Sequence, residues 1–197
     1  LSGSLSPLAN RELGGSTHLG GGITDPAAWP DLGRSLVALM GAPGSGKTTV
    51  ARLLFAHVVS VDDLRADRSI ARDPIAFRRA YSLVRQHARA LGPIAFDSTA
   101  VTARVRTRLL SLAADLRRPP VLLIIDTPVS VCLTRNAGRD APVPPAAVKA
   151  IHAAFSDAVR AVRGEPWSSI ITLTPPGADR LLRSGAADTV RPASRAW

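Results

Sequence analysis

The chain has 197 residues, of which 46% are hydrophobic, and its formal net charge is +10 at pH 7. This length favours one folded domain with a substantial core and tails. The single cysteine excludes a disulfide framework and a cysteine-based zinc site. The same shortage of cysteine makes a reducing cytoplasm the expected setting. No apolar run is long enough to span a bilayer, so we do not expect membrane insertion.

Arginine carries almost all of the positive charge, since only Lys47 and Lys149 among the 25 basic residues are lysines. The arginines are dispersed along the chain and aromatic residues make up only 4% of it, so composition alone does not predict a nucleic-acid surface. A lysine in a chain so poor in lysine is a candidate for a specific role. Lys47 stands in the most distinctive segment of the sequence.

Composition divides the chain into three parts. Residues 1–33 are rich in Gly, Ser and Pro without periodicity, which predicts a flexible lead-in. Residues 34–180 carry the alternating apolar segments expected of a folded domain, and residues 181–197 are predicted to form a C-terminal tail.

The domain begins with LVALMGAPGSGKTTVARLLF, residues 36–55. Its apolar run predicts a strand, and apolar residues at helical spacing predict a helix. Between them lies G-x-x-x-x-G-K-[ST], a phosphate-binding loop whose amides and following helix N-terminus hold the phosphates of a nucleotide. The motif predicts that Lys47 reaches the β and γ phosphates and that the Thr48 hydroxyl binds Mg²⁺. The predicted nucleotide-binding residues are Gly41, Ala42, Pro43, Gly44, Ser45, Gly46, Lys47, Thr48 and Thr49.

Predicted strands and helices alternate after this loop. HVVSVDDLR predicts a short strand that ends in Asp62 and Asp63, and residues 73–92 predict a helix. PIAFDST and PVLLIID predict two further strands, separated by a helix over residues 102–118. A helix over residues 129–136, a break, another helix and the strand SSIITLT complete the domain. This alternation predicts an α/β fold, with a parallel sheet flanked by helices and a ligand site at the carboxyl ends of the strands.

Acidic residues at the predicted strand ends are candidates for catalysis and metal binding. Either Asp62 or Asp63 could accept a proton from an attacking hydroxyl, although Asp63 could instead cap the following helix. Asp97 and Asp126 each end an apolar strand, where a carboxylate can orient Mg²⁺ through water, and we expect only one of them to do so.

The order of these motifs resembles that of P-loop kinases of the polynucleotide 5′-kinase group, over roughly residues 35–175. The resemblance rests on GAPGSGKTT, VDDLR, FDSTAV and CLTRNAGRDAPV. It implies that Asp62 is the general base and that Arg65 holds the phosphate next to the acceptor hydroxyl. It also implies that the break after the fourth strand is a lid whose Arg135 and Arg139 cover the ATP phosphates. The alternative is a solvated helix end, where arginines complement the helix dipole.

The same resemblance assigns the remaining polar candidates. It implies that Asp97 binds Mg²⁺ through water, that Asp97 and Thr99 belong to the substrate-binding side, and that Asp126 only begins the lid-bearing helix. The chain departs from the group at Ala100, where many relatives have Asn, and in APVPP, where some relatives carry a further lid arginine.

We therefore expect a Mg²⁺-dependent kinase that transfers the γ-phosphoryl group of ATP to a hydroxyl, with the 5′ end of DNA or RNA as the leading acceptor. Two alternatives stay open at this point. One is a small-molecule kinase that acts on a sugar, an antibiotic or a nucleoside alcohol. The other is an ATPase that couples hydrolysis to a conformational change.

Overall fold

The structure is a computed structural model that describes residues 29, 32–66 and 73–177. Most of the predicted lead-in and the whole of the predicted tail, residues 181–197, lie outside the described residues. Leu32 belongs to the predicted lead-in, yet its side chain is buried against one face of the sheet. The packed part of the chain therefore begins no later than Leu32.

Five parallel strands form one sheet at the centre of the fold. They are β1 (Leu36–Met40), β2 (His57–Ser60), β3 (Ile94–Asp97), β4 (Pro120–Ile125) and β5 (Ser169–Leu173). Their order across the sheet is β2-β3-β1-β4-β5, and every neighbouring pair is parallel. Because β1 is central, the loop that follows it lies between the carboxyl ends of β3 and β4.

Helices connect the strands and cover both faces of the sheet. They are α1 (Lys47–Leu54), α2 (Val61–Ala66), α3 (Asp73–Gln86), α4 (Ala103–Asp115), α5 (Val129–Ala137) and α6 (Pro145–Ala161). Short 3₁₀ turns at His87–Arg89 and Val162–Gly164 follow α3 and α6. Among the described helices, none combines the length and the apolar character needed to cross a membrane.

The core has two layers because successive residues of a strand point to opposite faces. Leu36, Ala38 and Met40 pack in the layer that α3, α4 and α6 complete, whereas Val37 and Leu39 pack in the layer that contains α1. Strands covered on both faces are apolar throughout, which explains the unbroken hydrophobic runs in the sequence. The predicted parallel sheet flanked by helices is confirmed.

The second strand differs from the prediction. It ends at Ser60, and Asp62 and Asp63 lie in the first turn of α2. The Ser60 hydroxyl caps this helix, because it accepts a hydrogen bond from the Asp63 amide at 3.3 Å. The suggestion that Asp63 caps the helix is therefore wrong. In addition, β3 separates β2 from β1, so Asp62 does not follow a direct neighbour of the strand that carries the loop.

Candidate active site

The loop between β1 and α1 has a backbone that depends on glycine. Gly44 and Gly46 have φ angles of 81° and 100°, in the left-handed region that residues with a Cβ rarely adopt. A Cβ at Gly44 would also overlap the carbonyl oxygen of Cys132 in α5. Gly46 immediately precedes α1, so the helix N-terminus opens onto the loop, where it favours an anion.

Lys47 lies buried at the start of α1, with 6% of its surface exposed. Its Nζ donates a hydrogen bond to the Ala42 carbonyl at 3.0 Å, which folds the side chain back over the loop. Burial lowers the pKa of Lys47 below its ordinary value, and the carboxylates of Asp97 and Asp62 oppose that shift. The ammonium group is thus poor in water contacts and close to two acidic residues, where a phosphate group can replace the lost solvation.

Asp97 and Thr48 form a pair beside this lysine. Asp97 is the last residue of β3, and its Oδ2 accepts a hydrogen bond from Thr48 Oγ1 at 2.6 Å. Burial raises the pKa of the Asp97 carboxyl, while the charge of Lys47 and the Thr48 hydrogen bond oppose the increase. Of the two aspartates that could serve Mg²⁺, the structure brings Asp97 to the loop, whereas Asp126 is exposed.

Nine residues line one cleft of about 200 Å³ beside the loop. All of them were predicted as site residues from the sequence, and they come from the loop, α1, α2 and the segment around the end of α5. They are Pro43, Gly44, Gly46, Lys47, Thr48, Thr49, Asp62, Arg135 and Arg139.

Asp62 and Asp63 are adjacent in sequence but have different surroundings. Asp62 lines the cleft and pairs with Arg65, whose Nη1 lies 2.7 Å from the Asp62 Oδ1. Asp63 instead pairs with Arg52 of α1 at 2.8 Å, and both of these side chains are more than half exposed. The Arg65 guanidinium also lies over the Phe77 ring, 5.7 Å from its centroid. Only the first aspartate is therefore positioned on the cleft.

Arg135 and Arg139, from the end of α5 and the segment after it, also line the cleft. Arg135 Nη1 lies 3.4 Å from the Ser45 carbonyl oxygen, a long contact that leaves most of its donors available for a ligand. The charge of Arg139 is one of the effects that lower the pKa of Lys47, which indicates that these two cations lie near one another. Two arginines and a buried lysine therefore meet at one cleft, which Asp62 also lines.

Thr99 contacts the loop through its backbone. Its carbonyl oxygen accepts a hydrogen bond from the Gly41 amide at 3.2 Å, and its side chain is half-buried. This contact joins the segment after β3 to the start of the phosphate-binding loop. A substrate-binding role for the Thr99 side chain stays a prediction.

Thr127 supports the loop and was missed by sequence reasoning. Its buried hydroxyl donates a hydrogen bond to the Ser45 carbonyl at 3.0 Å, and its own carbonyl lies 3.1 Å from Nε2 of His152 in α6. The loop is thereby connected to α6 through Thr127, by its side chain on one side and its backbone carbonyl on the other. The sequence feature that could have indicated Thr127 is its position as a polar residue just after the apolar strand β4. Because β4 pairs with β1, the end of β4 lies beside the phosphate-binding loop.

Arg106 is a second residue that sequence reasoning missed. It is buried in α4, and its guanidinium pairs with Glu165 at 2.8 Å. It also donates hydrogen bonds to the carbonyls of Ala100 and Val101, at 3.1 and 2.8 Å. These contacts fix the segment that follows Asp97, in which Ala100 has an unusual φ of 47°. The signal was an arginine on the buried stripe of a predicted helix.

Comparisons with known proteins identify the fold and its family. The model of a family described as AAA domain matches residues 36–158, which is more than half of the chain. Among curated proteins, no sequence matches this chain significantly.

Solved structures share the same fold. A sugar kinase from Janibacter sp. HTCC2649 is 25% identical, with a TM-score of 0.52 over 81% of this chain and 97% of that chain. The Mycobacterium tuberculosis APS kinase CysC, in complex with AMPPNP and APS, is 18% identical, with a TM-score of 0.51 over 81% and 99% of the two chains. A chain of the Streptococcus pneumoniae PezAT toxin–antitoxin system is 17% identical, with a TM-score of 0.56 over 80% and 77%. The fold of this chain is that of P-loop kinases.

Proposed function

The chain belongs to the AAA domain family, and we propose that it is an ATP-dependent phosphotransferase that acts on the 5′-hydroxyl end of DNA or RNA. The observation that carries this proposal is that Lys47, Asp62, Arg135 and Arg139 line one cleft. A phosphate group held at the loop would therefore lie between cations and a carboxylate able to accept a proton.

The cationic groups and the carboxylate have different roles in phosphoryl transfer. The loop amides, Lys47 and the two arginines bind the ATP phosphates and stabilise the charge on the oxygens of the transferred group. As the acceptor oxygen forms its bond to the γ-phosphorus, the bond from phosphorus to the ADP oxygen breaks. Asp62 takes the proton of the acceptor hydroxyl. Alignment and charge stabilisation provide most of the rate, because this reaction needs little covalent help from the protein.

The residues around Thr48 fit a magnesium ion. Mg²⁺ keeps most of its waters and takes only one or two protein oxygens, which suits a threonine hydroxyl with a buried aspartate behind it. No group of three or more His, Cys, Asp or Glu among the described residues could hold a metal alone. Thr48 would hold the ion directly and Asp97 through water, together with the nucleotide. When bound, the ion neutralises charge on the β and γ phosphates.

Arg65 supports a nucleic-acid acceptor. It contacts Asp62, so a phosphate bound by Arg65 would sit beside the hydroxyl whose proton Asp62 accepts. A 5′-terminal nucleotide offers that phosphate on its 3′ side, and a guanidinium can bind it in a bidentate manner. The net charge of +10 also favours a polyanionic substrate.

A small alcohol is the second candidate acceptor. It is favoured by the fold match to the Janibacter sugar kinase, which at 25% identity covers 97% of that chain. A sugar would use Asp62 in the same way but would offer no phosphate to Arg65.

A transfer assay separates the two acceptors. The protein is incubated with γ-labelled ATP and Mg²⁺, and label is measured on a 5′-hydroxyl oligonucleotide, on the same oligonucleotide already phosphorylated at its 5′ end, and on a panel of sugars and nucleosides. We expect strong label on the 5′-hydroxyl oligonucleotide, weak label on the bare nucleosides, and none on the 5′-phosphorylated oligonucleotide or the sugars. Label on a sugar and not on the oligonucleotide would favour a small-molecule kinase over a polynucleotide kinase. Label on no acceptor would overturn the kinase proposal.

A further inference from the structure

A second pocket lies between α3 and α4, outside the phosphate-binding cleft. Its cavity volume is about 250 Å³, and it adjoins a cavity of about 260 Å³ lower in the same groove, with which it shares Tyr81 and Arg108. Together they reach the size range of small-molecule pockets, about 300–1,000 Å³. The upper pocket is lined by Pro74, Phe77, Tyr81, Arg104, Val105 and Arg108.

The upper pocket lies on the acceptor side of the proposed active site. Both α3 and α4 start at the carboxyl edge of the sheet, and the pocket lies toward their starts, where Pro74 and Arg104 stand. A chain of contacts links it to the proposed base: Asp62 pairs with Arg65 at 2.7 Å, and the Arg65 guanidinium lies over the Phe77 ring. Arg65, which is proposed to hold the acceptor phosphate, therefore contacts Phe77, a residue that lines this pocket.

Aromatic rings form the floor of the pocket. Phe77, Tyr81 and Phe96 form a cluster in which the Tyr81 and Phe96 rings are stacked with centroids 5.5 Å apart, and the Phe77 centroid lies 6.1 Å from Tyr81 and 6.4 Å from Phe96. Phe77 is only partly buried, so part of its ring remains available to a ligand. A planar ring is the ligand group that such a surface favours.

Two arginines on α4 add positive charge above these rings. Arg104, Arg108 and Tyr81 line the same pocket. Burial raises the pKa of Tyr81, and the charges of Arg108 and Arg104 oppose the increase. Neither arginine has an ion-pair partner among the residues that the structure describes. In the lower cavity, by contrast, Arg85 is paired with Asp115 at 3.6 Å. The uncompensated charge is therefore concentrated in the upper pocket.

We propose that the pocket between α3 and α4 binds the acceptor, and that it takes a nucleoside carrying a 3′-phosphate. The base lies against Phe77 and Tyr81, and the phosphate is shared by Arg65 from α2 and by Arg104 and Arg108 from α4. This assignment rests on the proposed function, in which the free 5′-hydroxyl of that unit points to Asp62. A free nucleoside 3′-phosphate and the first nucleotide of an oligonucleotide present the same chemistry to the pocket.

Binding measurements test the pocket without relying on catalysis. The nucleotide site is first saturated with a non-hydrolysable ATP analogue and Mg²⁺. Adenosine 3′-monophosphate, adenosine, inorganic phosphate and a 5′-hydroxyl dinucleotide are then titrated calorimetrically. We expect Arg108→Gln to weaken binding of the 3′-monophosphate about tenfold or more, with little effect on adenosine, because a charged hydrogen-bonding partner of the phosphate is lost.

Two further variants complete the test. Phe77→Leu keeps an apolar side chain but removes the ring, so it should weaken adenosine and the 3′-monophosphate alike. Arg160→Gln removes the same charge from an exposed position on α6 and should change neither. Tighter binding of the dinucleotide than of the 3′-monophosphate indicates that the natural acceptor is a nucleic-acid end. Equal binding indicates that it is a free nucleotide. Both results support the proposed pocket. Binding of neither, or equal effects of Arg108→Gln and Arg160→Gln, would overturn the proposal.

The pocket and the proposed function can fail separately. If the variants behave as expected but no acceptor is phosphorylated, the pocket stands and the kinase proposal fails. If oligonucleotides are phosphorylated while Arg108→Gln and Phe77→Leu leave acceptor binding unchanged, the function stands and the pocket is wrong.

Discussion

The nucleotide side and the acceptor side of the cleft are built in different ways. The nucleotide side is built around one continuous segment, residues 41–49, whose backbone is fixed by glycines and whose lysine is buried, and Arg135 and Arg139 are added from the end of α5. The acceptor side depends on Asp62 and Arg65, whose side chains are 53% and 35% exposed and belong to a helix of six residues. The phosphate-binding loop is local in sequence and held in a specific backbone conformation, whereas the acceptor side is assembled from exposed side chains.

This difference explains where specificity resides. Binding of phosphate needs a fixed array of amides and one buried cation, and the packing of the loop against α5 and Thr127 leaves little room for change. Selection of an acceptor needs only a few side chains around the exposed carboxylate. Families with one phosphate-binding loop can therefore vary in acceptor without altering the loop.

The largest effect on turnover is expected for Asp62→Asn. This change keeps the size of the side chain but removes its ability to accept a proton, so transfer should slow by about 10²–10⁴-fold. Affinity for an ATP analogue should stay nearly the same, because Asp62 lies on the acceptor side. Steady-state kinetics and nucleotide titration check the two halves of this prediction. A large loss of nucleotide affinity with unchanged turnover would contradict it.

On the nucleotide side, Lys47→Ala should lower turnover by about 10²–10³-fold, as expected when a preorganised cation is removed from the reacting phosphate. It should also weaken ATP binding. Lys149→Ala is the matched control, since the only other lysine is exposed on α6 and should have no effect. Near-normal transfer by the Lys47 variant would refute the role of the phosphate-binding loop.

The contrast also shows what the sequence could predict. The loop and β1 were predicted closely, because a contiguous motif and a buried apolar run are local features. The order of the strands was not predicted, because it depends on how helices pack, and so the separation of Asp62 from β1 by β3 was missed. Helix ends were predicted less closely: the second predicted helix was expected to run to residue 92, but α3 ends at Gln86.

Buried arginines were the least predictable feature. Arg118 lies buried where four backbone carbonyls converge, those of Arg34, Gly92, Ala88 and Ala90. These acceptors are 26 to 84 residues away in sequence. No spacing rule can detect such a partner set, because it exists only after the sheet has formed. The pocket between α3 and α4 was not predicted for the same reason, because its lining residues come together only after the two helices have packed.

Arg65→Ala tests the acceptor side with a smaller expected effect. Loss of a charged hydrogen-bonding partner should lower kcat/KM for a 5′-hydroxyl dinucleotide by about tenfold to a hundredfold, with ATP use little changed. A nucleoside without a 3′-phosphate should be a poor substrate of the unmodified protein. Its kcat/KM should fall little further in the Arg65→Ala variant. Arg52→Ala is the control, because Arg52 is paired with Asp63 outside the cleft. An equal loss for the bare nucleoside would contradict phosphate binding by Arg65.

Arg139→Ala should have the complementary effect on the nucleotide side. Because Arg139 lies near Lys47, its loss should impair use of ATP by about tenfold, whichever acceptor is present. Apparent kcat/KM for ATP, measured with an oligonucleotide and with a weaker acceptor, checks this expectation. A defect seen only as weaker acceptor binding would assign Arg139 to the acceptor side.

The smallest effect is expected for Asp63→Asn, which tests whether the two sides are divided at the correct residue. Asp63 is adjacent to the proposed base, but its partner is Arg52, and this exposed ion pair is worth at most about 1 kcal/mol. The cap of α2 survives the change, because it is made by the Ser60 hydroxyl and the Asp63 backbone amide. Thermal unfolding and transfer rate should therefore stay close to those of the unmodified protein. If Asp63→Asn abolished transfer and Asp62→Asn did not, the base would lie one residue further along α2, and the contact between Asp62 and Arg65 would have no catalytic meaning.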